Sequence, residues 1–86
     1  PTVVPYTVFK VADGEMIIAI GNDGQFRAFC AAMGVAALGH DPRFATASAR
    51  LINREAIEAE VQRLVENESG LPLIDRLVAA GVPCGP

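Results

Sequence analysis

The 86-residue sequence predicts an α+β domain: an N-terminal β-hairpin, three to four helices and a short C-terminal strand. Three observations carry that prediction. Apolar, β-rich segments flank Asp13-Gly14 near the start of the chain. Farther on, apolar residues recur at helical spacing over 26–33, 57–65 and 73–78. Capping residues and glycines stand where those stretches begin and end.

Residues 6–20, "YTVFKVADGEMIIAI", read as the hairpin. Asp13-Gly14 is predicted as its two-residue primed turn, whose backbone needs positive φ angles. The first arm mixes Thr7 and Lys10 with Val8, Phe9 and Val11. The second arm, Met16 to Ile20, is apolar on both faces, which predicts a central strand covered on both sides.

The stretch "AIGNDGQFRAFC", residues 19–30, leaves that strand through a glycine corner and reopens as a helix over 23–33. Asn22 is the expected N-cap, and Gln25 three residues later has capping-box spacing. Phe26, Phe29, Cys30 and Met33 form one buried stripe, and Gly34 ends the helix as a left-handed cap. Ala36 to Leu38 predict a turn of helix, stopped by "HDP", because the residue before a proline avoids the helical region. Thr46 or Ser48 starts a short helix through Ile52. Asn53 is then expected to cap a longer helix, with Glu55 and Glu58 near its positive end and Ile57, Val61, Leu64 and Val65 on its apolar face. After Ser69-Gly70, Pro72 suits the first turn of a last helix. Leu73, Ile74, Leu77 and Val78 are expected to face inward there, with Gly81 as the cap. Val82 to Cys84 are expected to add an edge strand, a position that tolerates Pro83.

Composition excludes several function classes. Net charge is −3, and no run of Lys or Arg offers the basic stripe that nucleic-acid binding requires. No apolar stretch approaches the roughly 20 residues that span a bilayer. No signal or transit pattern is legible, so the expected location is the cytoplasm. A hydrophobic content of 51% is high for so small a body, which predicts uncovered apolar surface and hence an oligomer or a piece of something larger. A start at "PTVVPY" without Met and a stop at "GVPCGP" predict an excised domain. The two cysteines, Cys30 and Cys84, are expected as free thiols, Cys30 acting as a small hydrophobe on its helix face.

The glycine corner raises the question of a phosphate cradle, and the spacing answers against it. Dinucleotide and P-loop fingerprints want G-x-G-x-x-G or G-x-x-x-x-G-K-[ST]. Here Asn22 and Asp23 separate Gly21 from Gly24, and Arg27 stands where a third glycine belongs. Asp23 also places a negative charge where a phosphate would sit. Asn22, Asp23 and Gln25 nevertheless lie just past the carboxyl end of a buried strand, from where polar groups reach a neighbouring site. They are the candidate substrate-binding residues, with capping alone as the simpler reading.

No catalytic set is expected elsewhere. His40, the one histidine, sits in "LGHDPRF" as an exposed or helix-end residue without a nucleophile nearby. Two distant cysteines and one histidine do not make a metal site. Glu55, Glu58, Glu60, Glu66 and Glu68 share a solvated surface, and Asp13 is assigned to its turn. Arg43, Arg50 and Arg54 could hold an anion, but acidic neighbours predict local ion pairs instead.

Three phrases in order, "ADGEMIIAIGNDGQFRAFCAAMG", "DPRFATASARLINR" and "AAGVPCGP", resemble the small domain of the family III CoA-transferases. That group includes formyl-CoA transferase, carnitine-CoA transferases, bile-acid-inducible proteins and α-methylacyl-CoA racemase, and the likeness runs along the whole chain. The resemblance implies a parent enzyme several times longer, with a Rossmann-like large domain, long linkers and two chains interlocked as a homodimer. It implies coenzyme A as a substrate, no tightly bound cofactor, and transfer of CoA from an acyl-CoA to a carboxylic acid acceptor. In transferase members an aspartate of the large domain attacks the thioester, giving a mixed anhydride and then an aspartyl-CoA thioester. No residue here matches that aspartate, so the chain by itself is expected to be catalytically silent. In racemase-type relatives the turn matching Asn22-Asp23 approaches the partner's active site, with an acidic residue at the position of Asp23. The Asn-Asp-Gly version here departs from the racemase pattern. The alternatives are a racemase small domain within the family and, outside it, a free-standing helical interaction or dimerisation module.

Overall fold

Period-two alternation in the first two strands puts Phe9, Val11, Met16 and Ile18 on one face, and the core forms there. The computed structural model describes residues 3–86. Strands β1 (Tyr6–Val11), β2 (Gly14–Ala19) and β3 (Cys84–Gly85) make an antiparallel sheet in the order β1-β2-β3. Helices α1 (Asp23–Ala32), α2 (Ala47–Ile52), α3 (Arg54–Val65) and α4 (Gly70–Ala79) complete the fold, with a 3-10 turn at Ala36–His40. This is the predicted α+β arrangement.

The β2 strand is central, as its apolar run predicts, but only one of its faces is covered. Met16 and Ile18 are buried, whereas Ile17 stays exposed beside Val8 and Tyr6 on the outer face. The expectation of cover on both sides is corrected: among the described residues no helix covers that side.

The hairpin turn also differs by one residue. Val11 pairs with Gly14, so the two-residue loop is Ala12-Asp13, and Gly14, with φ of +154°, opens β2. No non-glycine residue among those described has positive φ, which rules out the primed turn at Asp13-Gly14. Long-range contacts shape the tip instead. The Ala12 amide donates to the Glu68 carbonyl at 2.9 Å, and Asp13 Oδ1 accepts from the Gly70 amide at 2.9 Å. Asp13 therefore serves the start of α4, not its own turn.

A second long-range polar contact holds the free edge of β1. The Gln62 side chain on α3 accepts from the Lys10 amide (3.0 Å) and donates to the Lys10 carbonyl (2.9 Å), as a neighbouring strand would.

Phe26, Phe29 and Cys30 from α1, Phe44 from the following loop, Ile57, Val61 and Val65 from α3, and Leu73 and Leu77 from α4 close over the sheet. Thr46 caps α2 through a bond from the Ala49 amide (3.1 Å). Asn53 occupies the N-cap position of α3 without capping it: its amide nitrogen donates backwards to the carbonyls of Arg43 (2.9 Å) and Ala49 (3.0 Å). Val78 points outward on α4, against the inward expectation, while Leu73 and Leu77 face in. Gly34 and Gly81 take positive φ at the helix ends as predicted. The last strand is Cys84–Gly85, where Val82–Cys84 was expected; Val82 is drawn into the core and its amide bonds back to the Leu77 carbonyl.

Candidate functional site

The corner between β2 and α1 holds the three candidate residues, and each has a local structural job. Asn22 sits at the N-cap in extended conformation, and its Oδ1 accepts from the Gln25 amide at 2.8 Å. The Gln25 side chain returns a bond, with Oε1 accepting from the Gly21 amide at 2.7 Å. The capping box is thus reciprocal, but its second bond reaches one residue before the cap. Asn22 is exposed, and Asp23 and Gln25 are half-buried.

Asp23 carries a partner that sequence reading missed. Arg50, on α2, is 1% exposed, and its NH2 donates to Asp23 Oδ1 at 2.9 Å. Its Nε donates to the Val4 carbonyl (3.0 Å) and its NH1 to the Phe44 carbonyl (2.9 Å). The guanidinium also stands 4.7 Å from the centroid of the Phe26 ring. One side chain thereby ties together the segment entering β1, the first turn of α1 and the loop before α2. The planar fork of arginine is suited to diverging acceptors in a way a lysine ammonium is not. The expectation that Arg50 lies at the surface in a local pair is corrected, because it is buried and two of its three acceptors, on Val4 and Asp23, are far away in sequence. The only hint in the sequence is its helical phase on the short α2, where it falls on the inner side and Leu51 and Ile52 on the outer.

The other candidate groups stay apart. Arg43 pairs with Asp41 at 2.8 Å on the surface, as expected, which holds the Asp41 carboxyl below its usual range. Arg54 has interactions of its own. Arg63–Glu60 and Arg76–Glu68 are further surface pairs. His40 is exposed at the end of the 3-10 turn. Cys30 and Cys84 are free, and burial pushes the Cys30 thiol up to about 11, with Arg50 opposing that shift. A buried, protonated thiol is a poor nucleophile. Among the described residues no three His, Cys, Asp or Glu side chains gather as metal ligands, and no helix is long and apolar enough to cross a membrane.

A cleft of about 230 Å³ lies between the hairpin tip and the start of α4, lined by residues that include Asp13, Glu15, Gly70 and Leu71. None of Asn22, Asp23 and Gln25 lines it. The apolar surface expected from composition is present. Tyr6, Val8 and Ile17 are exposed on the sheet, Leu71 and Val78 on α4, and Ile52, 81% exposed, at the end of α2.

Comparison with known proteins places this arrangement among relatives. The model of CoA-transferase family III matches residues 1–86. The chain is 37% identical over its whole length to a succinate–glutarate CoA-transferase of Agrobacterium fabrum, and 34% identical to an acetyl-CoA:oxalate CoA-transferase of Acetobacter aceti. It spans 22% of the length of each. Among solved structures it superposes on a CaiB/BaiF family protein from Brucella suis with a TM-score of 0.95 and 42% identity, covering all of this chain and 23% of that one.

Proposed function

The chain belongs to CoA-transferase family III, and on that premise we propose that it forms the small domain of an enzyme that moves CoA between an acyl-CoA thioester and a carboxylic acid. The observation that carries the reading is the match along the entire chain to curated CoA-transferases more than four times its length. The acceptor is a small dicarboxylate, in keeping with relatives named for succinate, glutarate and oxalate. Transfer is preferred to racemisation because those relatives are transferases.

In this reading the chain supplies no nucleophile, and the corner Asn22, Asp23 and Gln25 borders a substrate site built by other segments. Cys30 is buried with a raised pKa, and His40 is exposed at the end of the 3-10 turn. In the same reading the isolated domain is catalytically silent. The open outer face of the sheet, with Tyr6, Val8 and Ile17, packs against the rest of the enzyme or the second subunit of an interlocked homodimer in the cytoplasm.

The test is to express the complete gene product and supply succinyl-CoA with glutarate or oxalate, following the two acyl-CoA species by chromatography. Transfer by the complete protein is expected, and none from the 86-residue chain alone. A full-length protein that exchanges no CoA between any such pair refutes the transferase reading. Turnover by the bare chain refutes its silence.

A further inference from the structure

Asp23 is the one acidic side chain of the corner, and its surroundings control the charge it shows. We propose that Arg50 is a specificity-determining residue, which neutralises Asp23 from beneath and so keeps the corner open to a dianionic acceptor. The inference rests on the reading that the corner borders the substrate site.

The geometry separates the two partners. Arg50 is 1% exposed, whereas the Asp23 side chain is 43% exposed, so only the carboxylate faces outward. The guanidinium cannot swing out to grip an anion, because two of its nitrogens are held by the Val4 and Phe44 carbonyls and its plane lies against Phe26. Its third nitrogen is fixed on Asp23 Oδ1 at 2.9 Å. The corner thus presents a hydrogen-bond acceptor without a net negative charge. Arg27 stands on the following turn of α1, its guanidinium 3.8 Å from where a side chain on Gly24 would begin. With Asp23 balanced, Arg27 and the positive end of α1 leave the corner favourable to anions. Without Arg50, an uncompensated carboxylate would face the dicarboxylate. Like charges repel over such distances with a strength that salt reduces.

The full-length protein is assayed for CoA transfer as wild type, Arg50→Met, Arg50→Lys, Asp23→Asn and the double variant Arg50→Met/Asp23→Asn. KM for the dicarboxylate is measured at low and high salt. Arg50→Met is expected to raise that KM about fivefold at low salt, the effect of one unit charge at roughly 10 Å in a medium between protein and water. High salt shrinks the increase. The double variant returns KM to within about twofold of wild type although it is the less stable protein, a rescue that a purely structural role does not produce. Arg50→Lys, which keeps a cation beneath Asp23 without the fork, raises KM less than Arg50→Met does. Asp23→Asn, whose amide oxygen still accepts from the Arg50 NH2 and so leaves the buried guanidinium hydrogen-bonded, lowers KM.

The inference is overturned if Arg50→Met leaves KM unchanged, if the double variant is as impaired as Arg50→Met, or if Arg50→Lys is equally impaired. Should Arg50→Met fail to fold, Asp23→Asn decides alone, and an unchanged or raised KM overturns it. A wild type that transfers no CoA removes the function reading and this inference with it. An active wild type with any of the contrary KM patterns removes only the inference.

Discussion

Replacing Arg50 by methionine tests how much of the fold depends on one buried cation. Methionine fills most of the same space but donates no hydrogen bond. The carbonyls of Val4 and Phe44 then stay inside without a donor, at about 1–3 kcal/mol each. The guanidinium–Phe26 stack contributes about 0.5–2 kcal/mol at a desolvated site, and the thioether recovers part of it by its own contact with the ring. Asp23 is exposed enough to turn to water, so its lost pair adds little. The expected net loss is about 2–4 kcal/mol, dominated by the two orphaned carbonyls. Domains hold only roughly 0.05–0.15 kcal/mol per residue, so this is a large share of the total for 86 residues. The thermal midpoint should fall by about 8 °C or more. Urea and thermal unfolding of the 86-residue chain, followed by far-ultraviolet circular dichroism, measure it. The deficit should persist at high salt, because unsatisfied interior carbonyls are not screened. A variant that unfolds together with the wild type would show that water or a neighbour satisfies both carbonyls, and the reasoning fails.

Three further outcomes are expected. Asn22→Ala should cost about 1 kcal/mol through loss of the cap on the Gln25 amide, while Asn22→Asp keeps it; equal midpoints for Ala and wild type would show that the cap contributes nothing. Gly39→Ala should destabilise by about 1–2 kcal/mol, since its new carbon would lie 3.3 Å from the Arg27 backbone on α1; a gain in stability would show that the 3-10 turn can move away. Cys30 has its pKa raised from 9.0 to about 11 mainly by desolvation, so the fold favours the neutral thiol. Its contribution is fully present below the unfolded value and is lost as pH rises from about 9 toward 11. Stability should therefore be flat with respect to this group at neutral pH and decline in that alkaline window, a decline absent in Cys30→Ala. Alkylation should reach Cys30 only after unfolding.

Local signals in the sequence proved reliable where the physics is local. Asn22, Thr46, Gly34 and Gly81 mark helix ends because a cap or a positive φ depends on a few adjacent residues. The stripe Phe26, Phe29, Cys30 was legible for the same reason. What stayed hidden depends on partners distant along the chain. Asp13-Gly14 looked like a self-contained turn, but the bond from Gly70 to Asp13 and the bond from Ala12 to Glu68 shift the loop by one residue. Asn53 looked like a cap, but the Arg43 carbonyl offered its amide a better use. Arg50 is the strongest case: nothing near it in sequence announces two interior backbone carbonyls and the half-exposed carboxylate that it meets. At the candidate corner the residue types and the cap were legible, and the compensation of Asp23 was not.

The Gln62 amide on the rim of β1 restricts how these molecules can meet. A strand arriving from another molecule would have to evict it at Lys10, exchanging two hydrogen bonds for two and ordering a new backbone for no enthalpic gain. Growth of a continuous ribbon through that border is therefore suppressed. The greasy side of the sheet, with Tyr6, Val8 and Ile17, is left as the surface open to contact, and a contact there covers side chains without extending the ladder.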